Sequence, residues 1–316
     1  MEHLLKRIFD TTQNTLLVIL FIELIIGIIG NGFTALVYCM DWVKRKNMSL
    51  VNQILTALAT SRICLLWIML IGLLITLLDP YFLMTRPMIQ VSSNLWTIAN
   101  HTSIWLATCL SVFYVLKIAS FSNSPFLYLK GRVKKVVSVT LLLSLVLLFL
   151  NILLVNLEIN MCLNEYHQIN ISYIFIYYYH ANCQIQVLRY HIIILSVPFV
   201  LSLSTFLLLI FSLWTHHERM QQHVQGYRDA RTMAHFKALQ TVIAFFLLYL
   251  IYILSQLLQL WKHKLMNKVH FILFNNIINI AFPSFHSYAL ILRDRKLRQA
   301  SLSVLWQLKC RPNYVE

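Results

Sequence analysis

Seven long apolar stretches constrain this chain more than any other feature of its sequence. The hydrocarbon core of a bilayer is about 30 Å thick, and about 20 apolar residues in a helix cross it. With 59% hydrophobic and only 12% charged residues, the chain is predicted to be an all-α membrane protein, a single domain over residues 1–316 made of seven transmembrane helices. The predicted spans are 16–40, 50–78, 94–119, 136–157, 192–214, 236–261 and 269–292.

The distribution of Lys and Arg predicts how the bundle is oriented, because cytoplasmic loops carry an excess of these residues. Of 26 Lys and Arg residues, eighteen fall on one side of the predicted membrane, seven on the other, and Arg62 lies inside a helix. The N-terminus is therefore predicted outside, with 1–15 as a short extracellular segment and 293–316 as a cytoplasmic tail. The net charge of +15 then indicates that the basic loops face the anionic inner leaflet of the plasma membrane, and it does not indicate binding to nucleic acid.

Two features of the predicted second outer loop agree with this orientation. Asn170 begins the sequence NIS, which is an acceptor for N-glycosylation. Cys162 and Cys183 are the two cysteines on the oxidising side of the membrane, where they could pair. Whether they do stays open at this stage, because a shared compartment permits a disulfide without requiring one.

Polar side chains within the apolar stretches are candidates for functional sites, because each is unfavourable in hydrocarbon. Arg62 falls near the midplane of the second helix, and Asn31 falls in the inner half of the first. Arg62 is expected to turn inward to amides, carbonyls and ordered water. A structural brace between helices and a direct contact with a ligand are both consistent with such a residue.

Aromatic and amide side chains collect in the predicted outer halves of the third, sixth and seventh helices. Trp96 and Asn100 are four residues apart and therefore share one helix face. Such a pair suits a partly apolar ligand that needs one or two hydrogen bonds. An interfacial Trp beside a helix-packing amide is the alternative interpretation. The sixth and seventh helices add Tyr249, Tyr252, Gln256, Gln259, Asn275, Asn276 and Asn279.

The third helix ends in a positively charged residue. Lys117 lies close enough to the cytoplasmic surface for its ammonium group to reach water. Tyr114 lies about one turn deeper, on nearly the same face. Lys117 either positions groups for an intracellular partner or anchors the helix to lipid phosphate.

Several classes of function lack the residues they need. The sequence contains no nucleophile–base motif, metal-ligand pair or phosphate-binding loop, so neither an enzyme nor a bound cofactor is predicted. The stretch 269–292 has no Lys for a retinal Schiff base, and the third helix has no Asp or Glu to pair with a ligand amine. The two halves of the chain are not repeats of each other, which weakens the transporter or channel interpretation.

Six sequence blocks carry a resemblance to a known receptor family. They are GNGF at 30–33, ILTALATSRI at 54–63, WLATCLSVFYVLKIASFSNSPFLYLK at 105–130, PFVLSLSTFLLLIFSLW from Pro198, AHFKALQTVIAFFLLY from Ala234 and HSYALILRDRKLRQASLSVLW from His286. The signatures of rhodopsin-class receptors are replaced, with FYVLKIA in place of Asp-Arg-Tyr and PSFHSYALIL in place of Asn-Pro-x-x-Tyr. The chain resembles the bitter taste receptors, the type 2 taste receptors. Its RDRKLRQ and SPFLYLKGRVKK segments depart from that family's usual pattern.

The resemblance implies a seven-helix G-protein-coupled receptor that binds bitter small molecules and activates a heterotrimeric G protein of the gustducin type. It implies a pocket in the outer half of the bundle, with Trp96, Asn100, Tyr252 and Asn276 at the family's contact positions. The nearest alternative is a vomeronasal-type pheromone receptor, and a transporter or channel is more distant. Association into homo- or hetero-oligomers stays open.

Activation is expected to be a shift between two populations, because an agonist favours the state that it binds better. The movement is predicted to pass through a layer containing Asn31 and Arg62 and through the turn at His286 and Ser287. It then reaches the inner ends of the helices, where the predicted coupling residues are Tyr114 and Lys117.

Overall fold

The computed structural model describes residues 2–46, 48–83, 85–119, 121, 123–167, 173–222, 230–262 and 268–309. Ten α-helices make up nearly all of this described chain, and no β-strand occurs in it. The helices are α1 (Glu2–Arg45), α2 (Leu50–Leu78), α3 (Pro80–Leu83), α4 (Arg86–Ile118), α5 (Ser124–Gly131), α6 (Val133–His167), α7 (Tyr173–Gln222), α8 (Ala230–Lys262), α9 (Lys268–Arg293) and α10 (Arg295–Lys309).

Six helices in the described part of the chain are long and apolar enough to cross a membrane, namely α1, α2, α4, α6, α7 and α8. This bundle agrees with the predicted all-α membrane class. The seventh predicted span corresponds to α9, which has 26 residues but carries Asn275, Asn276 and Asn279. The seventh crossing and the orientation of the bundle stay predictions, and the two ends are called the predicted outer and inner ends below.

The long helices close into a ring in the order α1, α2, α4, α6, α7, α8 and α9, and α4 also reaches across it to α7 and α8. Helix α1 packs against α2 and α9, α8 packs against α7 and α9, and α4 contacts α2, α6, α7 and α8. In the most apolar segment of α4, 72% of the residues are buried inside the bundle, against 17% in the corresponding segments of α2 and α6. Most polar residues of α4 in this segment therefore face other helices, and two of them, Asn100 and Ser103, take part in the two sites described below.

Helix α7 begins much earlier than the sequence predicts. It runs for 50 residues from Tyr173. The predicted membrane span 192–214 lies mostly within the apolar part of this helix, Gln186–Ser212, and His191 lies inside the helix and not in the predicted outer loop. The polar residues around Arg189 interrupt the apolar run, but they do not break a helix, since the first Pro of α7 is Pro198. Hydropathy therefore marks where a helix can enter lipid and not where it begins.

Further helical segments lie outside the predicted spans, among them the short helix α3. Helix α1 starts at Glu2, so the predicted N-terminal segment 1–15 continues the first helix. Helix α5 lies between α4 and α6, and α10 lies in the predicted tail 293–316. The Asp294 carboxylate starts α10 by accepting hydrogen bonds from the backbone N–H of Lys296 (2.9 Å) and Leu297 (3.0 Å).

Helices α1 and α9 approach closely at two glycines. A Cβ at Gly27 would overlap Ser284 Oγ and lie 2.9 Å from Leu66 Cδ1. A Cβ at Gly30 would lie 3.1 Å from the ring of Tyr288, whose hydroxyl donates to the carbonyl of α1 at Ile26 (2.9 Å). Because these two glycines have no side chain, α9 can contact both α1 and α2, and the polar groups of the three helices come within hydrogen-bonding distance of one another.

Candidate functional site

A network of buried polar side chains centres on Asn100 in the predicted outer half of the bundle. Asn100 Nδ2 donates to Tyr252 Oη (2.9 Å) and lies 2.9 Å from His191 Nε2. Each of these three residues is at most 3% exposed. Trp96, one turn from Asn100 along α4, places its ring 4.8 Å from the His191 ring. Helices α4, α7 and α8 thus meet at one point, and this group of four residues is called the Asn100 network below.

Aromatic rings lie beneath the Asn100 network. Tyr249 Oη donates to the carbonyl of Leu195 (2.9 Å), three residues before Pro198 in α7. The ring of Phe282 lies 5.5 Å from that of Tyr252 and 5.7 Å from the guanidinium carbon of Arg62. Phe282 therefore contacts both the Asn100 network and the second polar site.

The predicted ligand residue Asn276 does not join the Asn100 network. It is half-buried on α9, where the neighbouring amides bind α8. Asn275 Nδ2 donates to Gln259 Oε1 (2.8 Å), and Gln256 Nε2 donates to Asn279 Oδ1 (2.5 Å). Of the four predicted ligand residues, the structure brings together Trp96, Asn100 and Tyr252. The amides of α8 and α9 instead hold these two helices together.

The second polar site surrounds Arg62, which is completely buried. Its Nη1 donates to His286 Nδ1 (2.8 Å) and lies 3.4 Å from Ser287 Oγ, and its Nε lies 3.4 Å from Ser103 Oγ. Ser287 Oγ in turn donates to Asn31 Oδ1 (2.5 Å). These five residues, called the Arg62 site below, join α1, α2, α4 and α9. All four residues predicted to carry the activating movement through the membrane belong to it.

The partners of Arg62 differ from those expected, since they are an imidazole and two hydroxyls and not amides and carbonyls. In the described part of the chain, no carboxylate contacts Arg62, and its Nη2 has no hydrogen-bond partner. A buried cation without a counter-charge lowers stability by several kcal/mol. Arg62 therefore joins the four helices without the stabilisation that a buried ion pair with a carboxylate could supply.

Both predicted coupling residues lie near the predicted inner end of α4, away from the two polar sites. Lys117 is exposed in the last turn of the helix, and Tyr114 is half-buried, with its ring 6.1 Å from that of Phe113. Lys130 of α5 donates to the carbonyl of Ala119, which follows the last residue of α4 (2.9 Å). This bond fixes α5 beside the exposed Lys117.

Amide residues that sequence reasoning missed join α4 to α6. Asn94 and Asn156 exchange two hydrogen bonds of 3.1 and 2.9 Å, and Gln90 Nε2 donates to Asn160 Oδ1 (2.8 Å). The sequence could have indicated this contact, because Gln90 and Asn94 on α4, like Asn156 and Asn160 on α6, are four residues apart and so lie on one face of their helix. His191 carried no such signal, since the residues before 192 were taken as a loop.

Two predictions for the second outer loop depend on residues that are described only in part. Asn170, the predicted glycosylation site, lies outside the described residues. Cys162 is disulfide-bonded, and the side chain of Cys183 also lies outside the described residues.

Comparison with known proteins assigns the chain to a family. Residues 8–309 match the family model for Taste receptor protein (TAS2R). Over 316 residues the chain is 78% identical to taste receptor type 2 member 109 of Mus musculus, covering 100% of both chains. It is 67% identical over 316 residues to member 117 of Rattus norvegicus (100% of this chain, 99% of the relative) and 47% identical over 315 residues to member 14 of Macaca mulatta (98% and 95%). The chain therefore belongs to the type 2 taste receptor family and is a multi-pass membrane receptor, not an enzyme.

Proposed function

We propose that this receptor binds bitter small molecules in the outer half of the bundle, among α4, α7 and α8, and activates a heterotrimeric G protein of the gustducin type at the plasma membrane. The observation that supports this most directly is the convergence of Trp96, Asn100 and Tyr252. Together they supply an aromatic surface and hydrogen-bonding groups, the combination that most small-molecule sites share.

The chemistry of the Asn100 network favours breadth over affinity. None of its side chains is a carboxylate or an ammonium group, so recognition rests on apolar contact and on a few hydrogen bonds. We expect micromolar dissociation constants, which correspond to about −8 kcal/mol. Ligands of different shapes can share such a site, because no single charged contact has to be satisfied.

The route from ligand to G protein begins at Phe282. A ligand that moves Tyr252 also moves the packing of Phe282, and Phe282 contacts Arg62. The Arg62 site then carries the change to α1, α2 and α9 through Ser287 and Asn31. An agonist needs to favour the active arrangement by only a few kcal/mol to change its population substantially.

Trp96→Ala tests the position of the ligand site. Loss of the ring that packs on His191 is expected to abolish responses to some bitter compounds or to raise the half-maximal concentration at least about tenfold, or about 1.4 kcal/mol. The measurement is intracellular calcium in cells that carry the receptor and a gustducin-type chimeric G protein, challenged with a panel of bitter compounds.

The matched control is Trp67→Ala on α2, where the indole is 48% exposed on the outside of the bundle. Antibody labelling of intact cells confirms that both variants reach the surface. An unchanged compound profile in Trp96→Ala, or an equal loss in both variants, would remove the ligand site from this place. Silence of the parent receptor across the panel would count against the proposed function.

Lys117→Met tests the predicted coupling surface. We expect signalling to be lost while surface expression is retained, because the Lys117 side chain is exposed beside α5 and not packed inside the bundle. The control is Lys134→Met, which removes an equally exposed charge from the start of α6. Equal reductions of signalling by both variants, or loss of surface expression with Lys117→Met, would instead indicate a lipid anchor or a folding role.

A further inference from the structure

Both ring nitrogens of His191 face the nitrogen of an amide. Nε2 lies 2.9 Å from Asn100 Nδ2, and Nδ1 lies 3.4 Å from Asn151 Nδ2. A neutral imidazole has one N–H group and one nitrogen that accepts, and an imidazolium has no acceptor at all. Two amide nitrogens cannot both donate to the same neutral ring. One of the two amides must therefore present its oxygen to His191.

Asn151 is the amide that can turn with the smaller loss. Its contact with His191 is the longer of the two, and its Oδ1 is buried without a hydrogen-bond partner. Asn100 Nδ2, in contrast, makes two contacts of 2.9 Å, to His191 and to Tyr252. A half-turn of the Asn151 amide pairs its unpartnered oxygen with an N–H at His191 Nδ1 and leaves both contacts of Asn100 in place.

We propose that His191 is a positioning residue that selects ligands carrying a hydrogen-bond acceptor, such as a carbonyl or lactone oxygen. Asn151 holds His191 as the Nδ1–H tautomer, and His191 Nε2 then holds the Asn100 amide with its nitrogen towards the site. Asn100 donates to Tyr252 Oη, and this directs the hydroxyl hydrogen of Tyr252 away from Asn100. The choice of ligand rests on the proposed function, whereas the tautomer of His191 does not.

The selectivity follows from counting donors and acceptors. Asn100 Nδ2 has two hydrogens, and the lone pair of His191 Nε2 and Tyr252 Oη take one each. The Tyr252 hydroxyl hydrogen cannot return to Asn100 Nδ2, which has no lone pair, so it is available to a bound molecule. A ligand with an acceptor at this point satisfies a buried donor, whereas a ligand with a methylene group leaves it unpaired.

The first test reads the tautomer and needs no agonist. Receptor labelled with 15N-histidine is placed in lipid nanodiscs, and the His191 signals are assigned by their loss in His191→Phe. We expect the nitrogen shift typical of N–H at Nδ1 and the shift typical of an unprotonated nitrogen at Nε2. Removal of the acceptor in Asn151→Leu is expected to reverse this pattern.

The matched control is Asn156→Leu, on the same helix as Asn151. Asn156 bonds to Asn94 and to the carbonyl of Ile152, and its removal should leave the His191 signals unchanged. A proton on Nε2 in the parent receptor, or His191 signals that do not respond to Asn151→Leu, would overturn the inference. Because no ligand is present, this result is independent of whether the chain responds to bitter compounds.

The second test reads the selectivity. For each ketone or lactone that activates the receptor in the calcium assay, the analogue with methylene in place of the carbonyl is measured beside it. We expect the carbonyl compound to be about tenfold more potent on the parent receptor, as a site built for a polar group disfavours the analogue lacking it. In Tyr252→Phe the two should differ by less than about twofold. Equal potencies on the parent receptor would contradict the ligand class, and the spectra would still decide the tautomer.

Discussion

Arg62→Met is expected to reach the cell surface, to keep nearly the parent melting temperature, and to lose its response to agonists. The physical reason is the balance of two opposing terms. Removal of an uncompensated buried charge recovers a desolvation penalty of several kcal/mol. Loss of the hydrogen bond to His286 leaves its buried Nδ1 acceptor unpaired, which lowers the unfolding free energy by about 1–3 kcal/mol. The 3.4 Å contacts of Arg62 with Ser103 and Ser287 contribute less. The net change in unfolding free energy should therefore be small.

The loss of signalling is expected for a different reason, namely the loss of the hydrogen bonds by which Arg62 joins helices. In the described chain, Arg62 joins α2 to both α4 and α9 by hydrogen bonds, so Met at this position is expected to break the proposed route from Phe282 to Ser287. We expect the maximal calcium response to fall at least about tenfold. The melting temperature is measured on purified receptor in nanodiscs, and surface density is measured by antibody on intact cells.

Arg86→Met is the control for this experiment, because Arg86 is exposed at the start of α4, where its Nη2 donates a hydrogen bond to Asn160 Oδ1 (3.3 Å). It should retain the full response. A large fall in melting temperature for Arg62→Met, with signalling and surface density reduced in proportion, would make Arg62 a structural brace and leave the activating movement without its predicted carrier.

Gly27→Ala is expected to have the largest effect on stability. The new methyl group overlaps Ser284 Oγ and lies 2.9 Å from Leu66 Cδ1, so α1 has to move away from α9. Overpacking of this kind costs about 1–3 kcal/mol. Displacement of α1 also strains the contact between Asn31 and Ser287, so both surface expression and signalling should decline.

Two further variants make this prediction specific. Gly32→Ala meets no atom within 4 Å and should be neutral or stabilising by up to about 1 kcal/mol, because Ala favours a helix more than Gly does. Gly27→Ala combined with Ser284→Gly removes the clashing hydroxyl and Cβ, and it should recover most of the lost melting temperature. Failure of the double variant to recover, or an equal loss with Gly32→Ala, would show that close approach of α1 and α9 is not the cause.

Much of this architecture could be predicted because the bilayer restricts what a chain can do. Apolar length alone located helices α1, α2, α4, α6, α7 and α8, and the match to the taste receptor family over residues 8–309 confirms the family that the motifs indicated. The pheromone receptor alternative does not hold. Asn100 and Tyr252 meet because polar groups in hydrocarbon must find one another, so their presence on different helices already predicted a shared site.

The parts that could not be predicted depend on register between helices, which no single-helix pattern contains. Asn276 and Asn279 differ by less than one turn, yet Asn279 binds α8 and Asn276 does not contact the Asn100 network by any hydrogen bond in the described chain. Arg62 and His286 were predicted to act in the same route, but their direct hydrogen bond and the contact of Arg62 with Ser103 depend on how α2, α4 and α9 are aligned. The position of His191 inside α7 was not predicted, because polar residues interrupt the apolar stretch just before residue 192.

The position of Phe282 limits how this receptor can diversify. Trp96 belongs to the Asn100 network and packs its ring on His191. On the proposed mechanism, substitutions at Trp96 are expected to change which compounds are recognised and to leave the Arg62 site intact. Phe282 contacts both Tyr252 and Arg62. On the proposed mechanism, a substitution at Phe282 is expected to alter recognition and the resting equilibrium together. Receptors that share this bundle are therefore expected to vary the residues around α4 and to retain an aromatic ring at position 282. A variant without that ring would recognise new tastants only together with a changed activity in the absence of any ligand.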